Sequence, residues 1–239
     1  MTMDAVSVGA VFSRAWSLLR VNLAIVVPGL LVGALIGFVS AYLAPPLAVD
    51  DVTGGLSRPY DRIARLLVTT ISVISSVLTI SFTTGMARSA WENGRATFAD
   101  GSRAFRNDAG NVLVALGLLF VLGFLASLLA PFTLFVSLLA YVFFCIYTMA
   151  AAIVGERNGF ASVVESAAIA WRRPLTTGLL VGGLAAIMLA MGAVTSVLSA
   201  APFVGQVIAS VVLQAVVAYF TLVIVGEYRT LAGEGSLAT

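Results

Sequence analysis

The sequence SRAWSLLRVN at residues 13–22 returns, little altered, as SRAFRNDAGN at residues 102–111. Both copies begin with Ser-Arg-Ala, continue with an aromatic residue and close on asparagine. A third copy, SVVESAAIAW at residues 162–171, aligns without gaps on SVGAVFSRAW at residues 7–16. Each copy precedes a long apolar stretch, and the recurrence therefore predicts three structural units of one kind.

The apolar stretches are those of a membrane protein. Hydrophobic residues make up 60% of the chain and charged residues only 10%, and the mean hydropathy is +1.07. Soluble domains carry about 25% charged residues. Charged residues are missing from four stretches, each at least as long as the roughly 20 residues that one membrane span needs. These stretches are residues 21–49, 66–87, 109–155 and 174–226.

Two prolines divide the longer stretches, Pro131 in the third and Pro202 in the fourth, because proline disrupts a helix interior. The sequence therefore predicts an all-α integral membrane bundle in a single domain, residues 1–239. A cleaved signal peptide is the competing interpretation of the first stretch. The apolar core of a signal peptide is only about 7 to 15 residues long, whereas this stretch covers residues 21–49. The six predicted spans are 21–43, 66–87, 111–130, 132–154, 174–200 and 203–225.

Arginine is distributed unequally between the loops, and the chain contains no lysine. Ten arginines lie before span one, between spans two and three, between spans four and five, and after span six, whereas three lie in the loops of the other side. Basic residues of short loops stay on the cytoplasmic side of a membrane. Both termini are therefore predicted to be cytoplasmic, in a multi-pass protein of the cytoplasmic (inner) membrane.

Each copy of the repeat is predicted to form a short amphipathic helix before its transmembrane hairpin. Thr97-x-x-Asp100 and Ser162-x-x-Glu165 both have the form of a helix-starting capping box. In the third copy, five residues at helical spacing would gather on one apolar stripe. These are Phe160, Val163, Val164, Ala167 and Trp171.

Each copy contains an aromatic ring with an arginine one to four residues after it, a combination that suits the lipid headgroup region. We expect the three helices to lie nearly parallel to the membrane as a collar around the spans. The alternative is that they are cytoplasmic linkers whose hydrophobic residues dock on the bundle. The partners expected here are membrane lipids, anionic headgroups in particular, and not nucleic acid. The predicted membrane-interface residues are Trp16, Arg20, Phe105, Arg106, Trp171, Arg172 and Arg173.

Two longer segments carry a resemblance to a known family: GMARSAWENGRATFADGSRAFRNDAGNVLVAL at residues 85–116 and GERNGFASVVESAAIAWRRPLTTGLL at residues 155–180. The chain resembles the six-span prokaryotic membrane proteins of unknown function that are related to the membrane domain of glycerophosphoryl diester phosphodiesterases. The resemblance covers about residues 7–226 and implies a fold and a location. It implies no catalytic residue, since that chemistry belongs to a separate soluble domain. IVGE, which recurs at residues 153–156 and 224–227, supports the same repeating unit.

Hydroxyl side chains recur along one face of the second predicted span, and a second polar sector occurs in the sixth. Together we call these residues the polar seam. The structural interpretation is hydrogen bonding between helices, worth about 0.6 kcal/mol per pair. The alternative is a polar passage for a neutral or amphiphilic molecule. The seam consists of Thr69, Ser72, Ser76, Thr79 and Thr83, with Gln206, Ser210, Gln214 and Thr221 in the sixth span.

Glycines at four-residue spacing occur in two spans and predict close approach of a neighbouring helix. Gly29, Gly33 and Gly37 lie in the first span, and Gly178 and Gly182 in the fifth. Packing within one chain is favoured over a dimer contact.

The residue inventory argues against most site chemistries. Cys145 is the single cysteine, the chain has no histidine, and it contains neither a nucleophile elbow nor a phosphate loop. We therefore expect no catalytic residue, no cofactor and no metal. Asp50, Asp51 and Asp61 are balanced by nearby arginines, which favours a solvated loop over a cation site.

The predicted function follows from these exclusions. It is a non-enzymatic multi-pass membrane module that organises lipid or supports a protein partner complex. The alternative is a permease-like carrier for a neutral or amphiphilic solute, which would need the polar seam around a hydrated cavity.

Overall fold

The computed structural model describes residues 3–43, 59–198 and 202–236, and within these ranges every regular element is a helix. This confirms the all-α prediction for the described part of the chain. The helices are α1 (Met3–Val21), α2 (Val27–Leu43), α3 (Pro59–Asn93), α4 (Phe98–Leu129), α5 (Val136–Cys145), α6 (Thr148–Ile153), α7 (Gly159–Arg172), α8 (Pro174–Leu198) and α9 (Pro202–Ser236).

Four helical segments of the described chain are long and apolar enough to cross a membrane. They comprise most of α4, the pair α5 and α6, α8, and most of α9; the bent pair formed by α1 and α2 would be a fifth. The protein is therefore built to be embedded in a membrane. The four segments are Ala109–Leu129, Val136–Ile153, Pro174–Leu198 and Val207–Ala232.

The first repeat contains a sharp bend at Asn22. The segments Val8–Val21 and Leu23–Val39 meet at 93°. The buried Asn22 side chain donates to the carbonyls of Leu18 and Gly94 and accepts the Ala96 N–H at 2.8 Å. These three hydrogen bonds satisfy an amide that would be costly to bury alone, and they fix the bend against the loop between α3 and α4.

The second repeat differs, because α4 runs from Phe98 to Leu129 as one helix. The predicted collar, in which each amphipathic segment turns away from its span, is therefore wrong for this copy. In the third repeat α7 ends before Arg173, and α8 begins at Pro174, so the amphipathic segment and the span are separate helices. Proline removes the N–H that a continuous helix would need there.

The fourth predicted span, 132–154, follows one helix break and is interrupted by another. Helix α4 ends at Leu129, and Pro131 lies in the turn that follows, as its sequence predicts. A second break separates α5 from α6 at Ile146 and Tyr147. The hydroxyl of buried Ser166 donates to the Phe144 carbonyl at 2.7 Å and accepts the Tyr147 N–H at 3.1 Å, so a residue of α7 pairs backbone groups that the break leaves unpaired.

The most extensive helix pairing joins α2 to α9. A Cβ added at Gly33 would lie 2.7 Å from the Ser210 carbonyl oxygen, and one at Gly29 would lie 3.1 Å from that of Gln214. These two glycines therefore allow close packing within one chain, as predicted. Gly178 and Gly182 differ, because no heavy atom from elsewhere in the described residues lies within 4 Å of a Cβ built on either, and the predicted close approach within the chain is not seen there.

Only one of the two predicted capping boxes forms. The box of Thr97 and Asp100 starts α4, and the Asp100 carboxylate accepts the Thr97 N–H at 2.9 Å. Helix α7 begins earlier than predicted, with Asn158 as its N-cap residue, whose side chain accepts the Ala161 N–H. Ser162 therefore lies inside the helix, and its predicted capping box is wrong.

Candidate membrane-interface site

The third amphipathic helix, α7, turns its apolar stripe away from the bundle. Four of its five buried residues are small, and the fifth is an isoleucine: Gly159, Ser162, Ser166, Ala170 and Ile169. In contrast, Phe160, Val164 and Trp171 of the predicted stripe are 67%, 53% and 77% exposed. Val163 and Ala167, the other two residues of the predicted stripe, are half-buried, so its three largest exposed side chains face outward and its inner edge contacts the bundle.

Close packing of α7 against α4 explains this orientation. A Cβ at Gly159 would lie 2.6 Å from Val114 Cβ and 2.7 Å from the Ala115 backbone nitrogen, so this face has no room for a side chain. Ser162 and Ser166 are fully buried, and their hydroxyls donate to backbone carbonyls. Large apolar side chains are thereby left on the outer face, with exposed Arg172 and Arg173 directly after Trp171.

The first amphipathic helix, α1, buries a conventional apolar face. Val8, Val11, Ala15 and Leu19 are buried, on a helix that packs against α8 and α9. Trp16 remains about half exposed. Its ring meets that of Tyr219 edge-on at 5.9 Å, and the Arg20 guanidinium lies 5.0 Å from its ring centre.

The second copy matches neither of the other two. Phe105 is only half-buried and Arg106 is exposed, on a segment continuous with the span. The three aromatic residues therefore do not occupy equivalent environments. Trp171 is the most exposed of them and Phe105 the least.

The end of α3 contacts both copies of IVGE through three residues that we call the clasp, Arg88, Trp91 and Glu92. Arg88 donates to the Ile153 carbonyl at 2.9 Å and to the Glu156 carboxylate at 2.8 Å. A guanidinium at the last carbonyls of a helix also complements the helix dipole. Glu156 has a φ of 52°, a left-handed conformation that is unusual for a residue with a side chain.

Trp91 and Glu92 of the clasp contact α9. The Trp91 Nε1–H donates to the Leu222 carbonyl at 2.9 Å, and the indole ring lies against Gly226, where a Cβ would lie within 2.8 Å of Trp91 Cε2. Glu92 pairs with Arg88 at 3.2 Å and with Arg229 at 3.0 Å. The glycine of the second IVGE is thus the position that admits the Trp91 ring.

Two carboxylates of this end of the bundle are less exposed than the sequence suggests. Glu165 accepts from Arg157 at 2.6 Å and from the Tyr228 hydroxyl at 2.7 Å. Glu227 is 1% exposed, and the apolar segment Val207–Ala232 contains both it and Arg229. The apolar segment of α9 thus continues past the predicted span end at residue 225 and carries ionisable groups.

A polar cleft of about 400 Å³ lies beside the clasp. The hydrogen bond from the Thr97 hydroxyl is the main reason that the pKa of Asp100 lies below its ordinary value. No three potential metal ligands come together among the described residues, while Asp50 and Asp51 and the side chain of Asp61 lie outside them. The charged residues that line the cleft are Arg88, Glu92, Asp100, Arg103 and Glu156.

The polar seam is packed tightly where the structure describes it. Thr79, Thr83, Gln214 and Thr221 are buried, and Ser72 and Ser210 are half-buried. The Thr79 and Thr83 hydroxyls donate to carbonyls one turn earlier in α3, at 2.8 Å each. The bonds that these two hydroxyls donate therefore run within α3 and not between helices. The side chains of Thr69, Ser76 and Gln206 lie outside the described part.

Sequence reasoning missed Asn22, Ser166 and the three residues of the clasp. The sequence did contain signals for some of them. Asn22 begins an otherwise apolar stretch, and IVGE recurs beside charged residues. Their partners, however, lie tens of residues away in the chain. Comparison with known proteins gives no match to a protein family, a curated protein or a solved structure.

Proposed function

We propose that this chain is a non-enzymatic, six-span module of the cytoplasmic membrane that binds lipid at its cytoplasmic face and thereby organises the membrane or supports a partner complex. The observation that carries the proposal is the outward apolar stripe of α7. An amphipathic helix that buries its small residues against protein offers its large ones to the lipid.

The charges beside the stripe complete a lipid-binding surface. Trp171 is suited to headgroup depth, and Arg172 and Arg173 follow it at the start of α8. Each basic residue near an anionic membrane surface contributes about 1 kcal/mol to attraction. Anionic headgroups are therefore the proposed partners, and nucleic acid is not.

The six-span, three-repeat architecture belongs to the same proposal. The contacts of the clasp support it, because the end of α3 meets the corresponding ends of α6 and α9 at the two IVGE segments. In this arrangement α2 and α3 supply the first two spans. The resemblance to membrane proteins related to the membrane domain of glycerophosphoryl diester phosphodiesterase remains part of the proposal on the motifs quoted above.

The alternative, a permease-like carrier, would need seam hydroxyls that face water. The bonds of Thr79 and Thr83 to their own helix support dry packing instead. The lipid-binding proposal is therefore preferred.

Trp171 is expected to lie at headgroup depth. In a variant with Trp16→Phe and Trp91→Phe, the remaining Trp171 should be quenched more by lipids brominated near the ester group than by lipids brominated near the chain end. The matched control keeps Trp91 alone, whose half-buried ring is covered by Arg14 at 4.9 Å and should be quenched far less. Equal quenching of the two tryptophans, or none of Trp171, would contradict the proposed interface.

The proposed topology has its own test. In a Cys145→Ala background, single cysteines introduced by Ser57→Cys and Ser236→Cys are expected to react with a membrane-impermeant maleimide from opposite sides of sealed vesicles. Position 57 lies outside the described residues, in the predicted external loop. Labelling of both from one side would rule out six spans.

A further inference from the structure

An apolar cavity of about 350 Å³ lies between helices α3, α4, α5, α6, α8 and α9. It has room for about a dozen groups the size of a water molecule. Its walls are aliphatic and aromatic side chains with two methionines, Met149 and Met188, which adapt readily to the shape of a guest. The cavity is separate from the polar cleft and from the α7 surface.

The hydroxyl groups in the cavity wall are already engaged. Thr84 donates to the Ile80 carbonyl at 2.7 Å, and Thr221 donates to the Val217 carbonyl at 2.9 Å. The Tyr141 hydroxyl donates to the Leu119 carbonyl at 3.0 Å. A water molecule inside needs two to four polar partners, which these occupied groups supply poorly, so the cavity favours an apolar guest.

The residues that line the cavity indicate which medium surrounds it. Each of the four membrane-capable segments contributes wall residues, among them Leu119, Cys145, Leu184 and Val217. Met188 lines the cavity and is 47% exposed, so the wall reaches the outer surface of the bundle on α8. Around such a surface the solvent is hydrocarbon chain, not water.

We propose that this cavity binds one acyl chain of a membrane lipid, taken from the bilayer beside α8. An empty cavity would forfeit dispersion contacts along its whole lining, and a flexible methylene chain restores them without displacing a polar group. The inference rests on the proposed lipid-organising function and deepens it, because it adds a tail site within the bundle to the headgroup surface of α7.

The test uses the full chain in vesicles that contain a phospholipid with a photoreactive diazirine near the end of one acyl chain. After irradiation and digestion, we expect lipid adducts on the peptides that carry Tyr141 to Met149 and Leu184 to Met188. A second lipid, with the diazirine on its headgroup, should leave these peptides unmodified while labelling the α7 region. Tail adducts confined to outward residues such as Leu125 and Leu128 would overturn the proposal.

Neighbouring residues of α8 provide matched variants. Met188→Trp places a large ring at the cavity wall and should lower the cavity adducts about fivefold, which is the effect of losing roughly 1 kcal/mol of binding. Leu189→Trp adds the same ring to a 77% exposed position outside the lining and should leave them unchanged. Both positions are exposed, so neither substitution should prevent folding.

The outcomes separate this inference from the proposed function. Quenching of Trp171 at headgroup depth without cavity adducts would overturn the tail site alone. An equal loss of adducts in Met188→Trp and Leu189→Trp would also overturn it, because general lipid contact along α8 would then explain the labelling.

Discussion

Replacing Gly33 with alanine is expected to lower the free energy of unfolding by about 2 kcal/mol, as overpacking of a tight core does. The added Cβ would lie 2.7 Å from the Ser210 carbonyl oxygen and 3.0 Å from Gln214 Cγ. The first of these atoms belongs to the backbone of α9, so no change of rotamer can relieve the clash. The measurement is unfolding of the purified protein by dodecyl sulfate titration in mixed micelles.

Gly182→Ala is the matched control for this measurement. It makes the same chemical change in another apolar helix, but within the described part of the chain no heavy atom of another element lies within 4 Å of the new Cβ. Alanine has the higher helix propensity by about 1 kcal/mol, so stability should stay level or rise. Equal destabilisation by the two substitutions would mean that the α2 and α9 contact is not as close as described.

These two glycines also mark a limit of sequence reasoning. Both belong to series with four-residue spacing, and the spacing alone predicts close approach for each. Whether a neighbouring helix fills the groove depends on tertiary placement. Gly33 meets Ser210 from a helix about 180 residues further along the chain, a contact that no local pattern encodes.

The fold was predictable where local chemistry decides it. Proline at 131 and at 174 coincides with helix boundaries because the missing N–H acts within one turn. The bend at Asn22 was not predictable, since its fixing bonds come from Gly94 and Ala96. The continuity of α4 was not predicted either, although the segment from Phe98 to Leu129 contains no proline.

The orientation of α7 shows why the candidate site could be predicted only in part. Helical spacing correctly groups Phe160, Val164 and Trp171 on one face. In water that face would be the buried one. In a membrane the surroundings are also apolar, so either face can be buried, and close packing of small residues decides which. The outcome depends on the fit of Gly159 against α4.

Trp91→Ala is expected to destabilise the protein by about 3 kcal/mol, the lower end of the range for removing a large aromatic side chain from a core. The ring is only half-buried, but it supplies the hydrogen bond to the Leu222 carbonyl and the surface on which Arg14 rests. Trp171→Ala removes an identical side chain that is 77% exposed and should change stability by about 0.5 kcal/mol or less. The two variants are compared in the same micelle titration.

Combining Trp91→Ala with Gly226→Ala then tests the clasp as a unit. In the parent protein, Gly226→Ala should cost about 2 kcal/mol, because the new Cβ would collide with the Trp91 ring. Once the ring is absent, the three atoms nearest to the methyl group are gone, so its cost should fall toward zero. The double-mutant cycle is expected to return a coupling of about 2 kcal/mol, well above the 0.3 to 0.5 kcal/mol that independent sites show. Strict additivity would mean that Trp91 and Gly226 do not contact each other. The end of α3 would then not pack against the second IVGE segment as described.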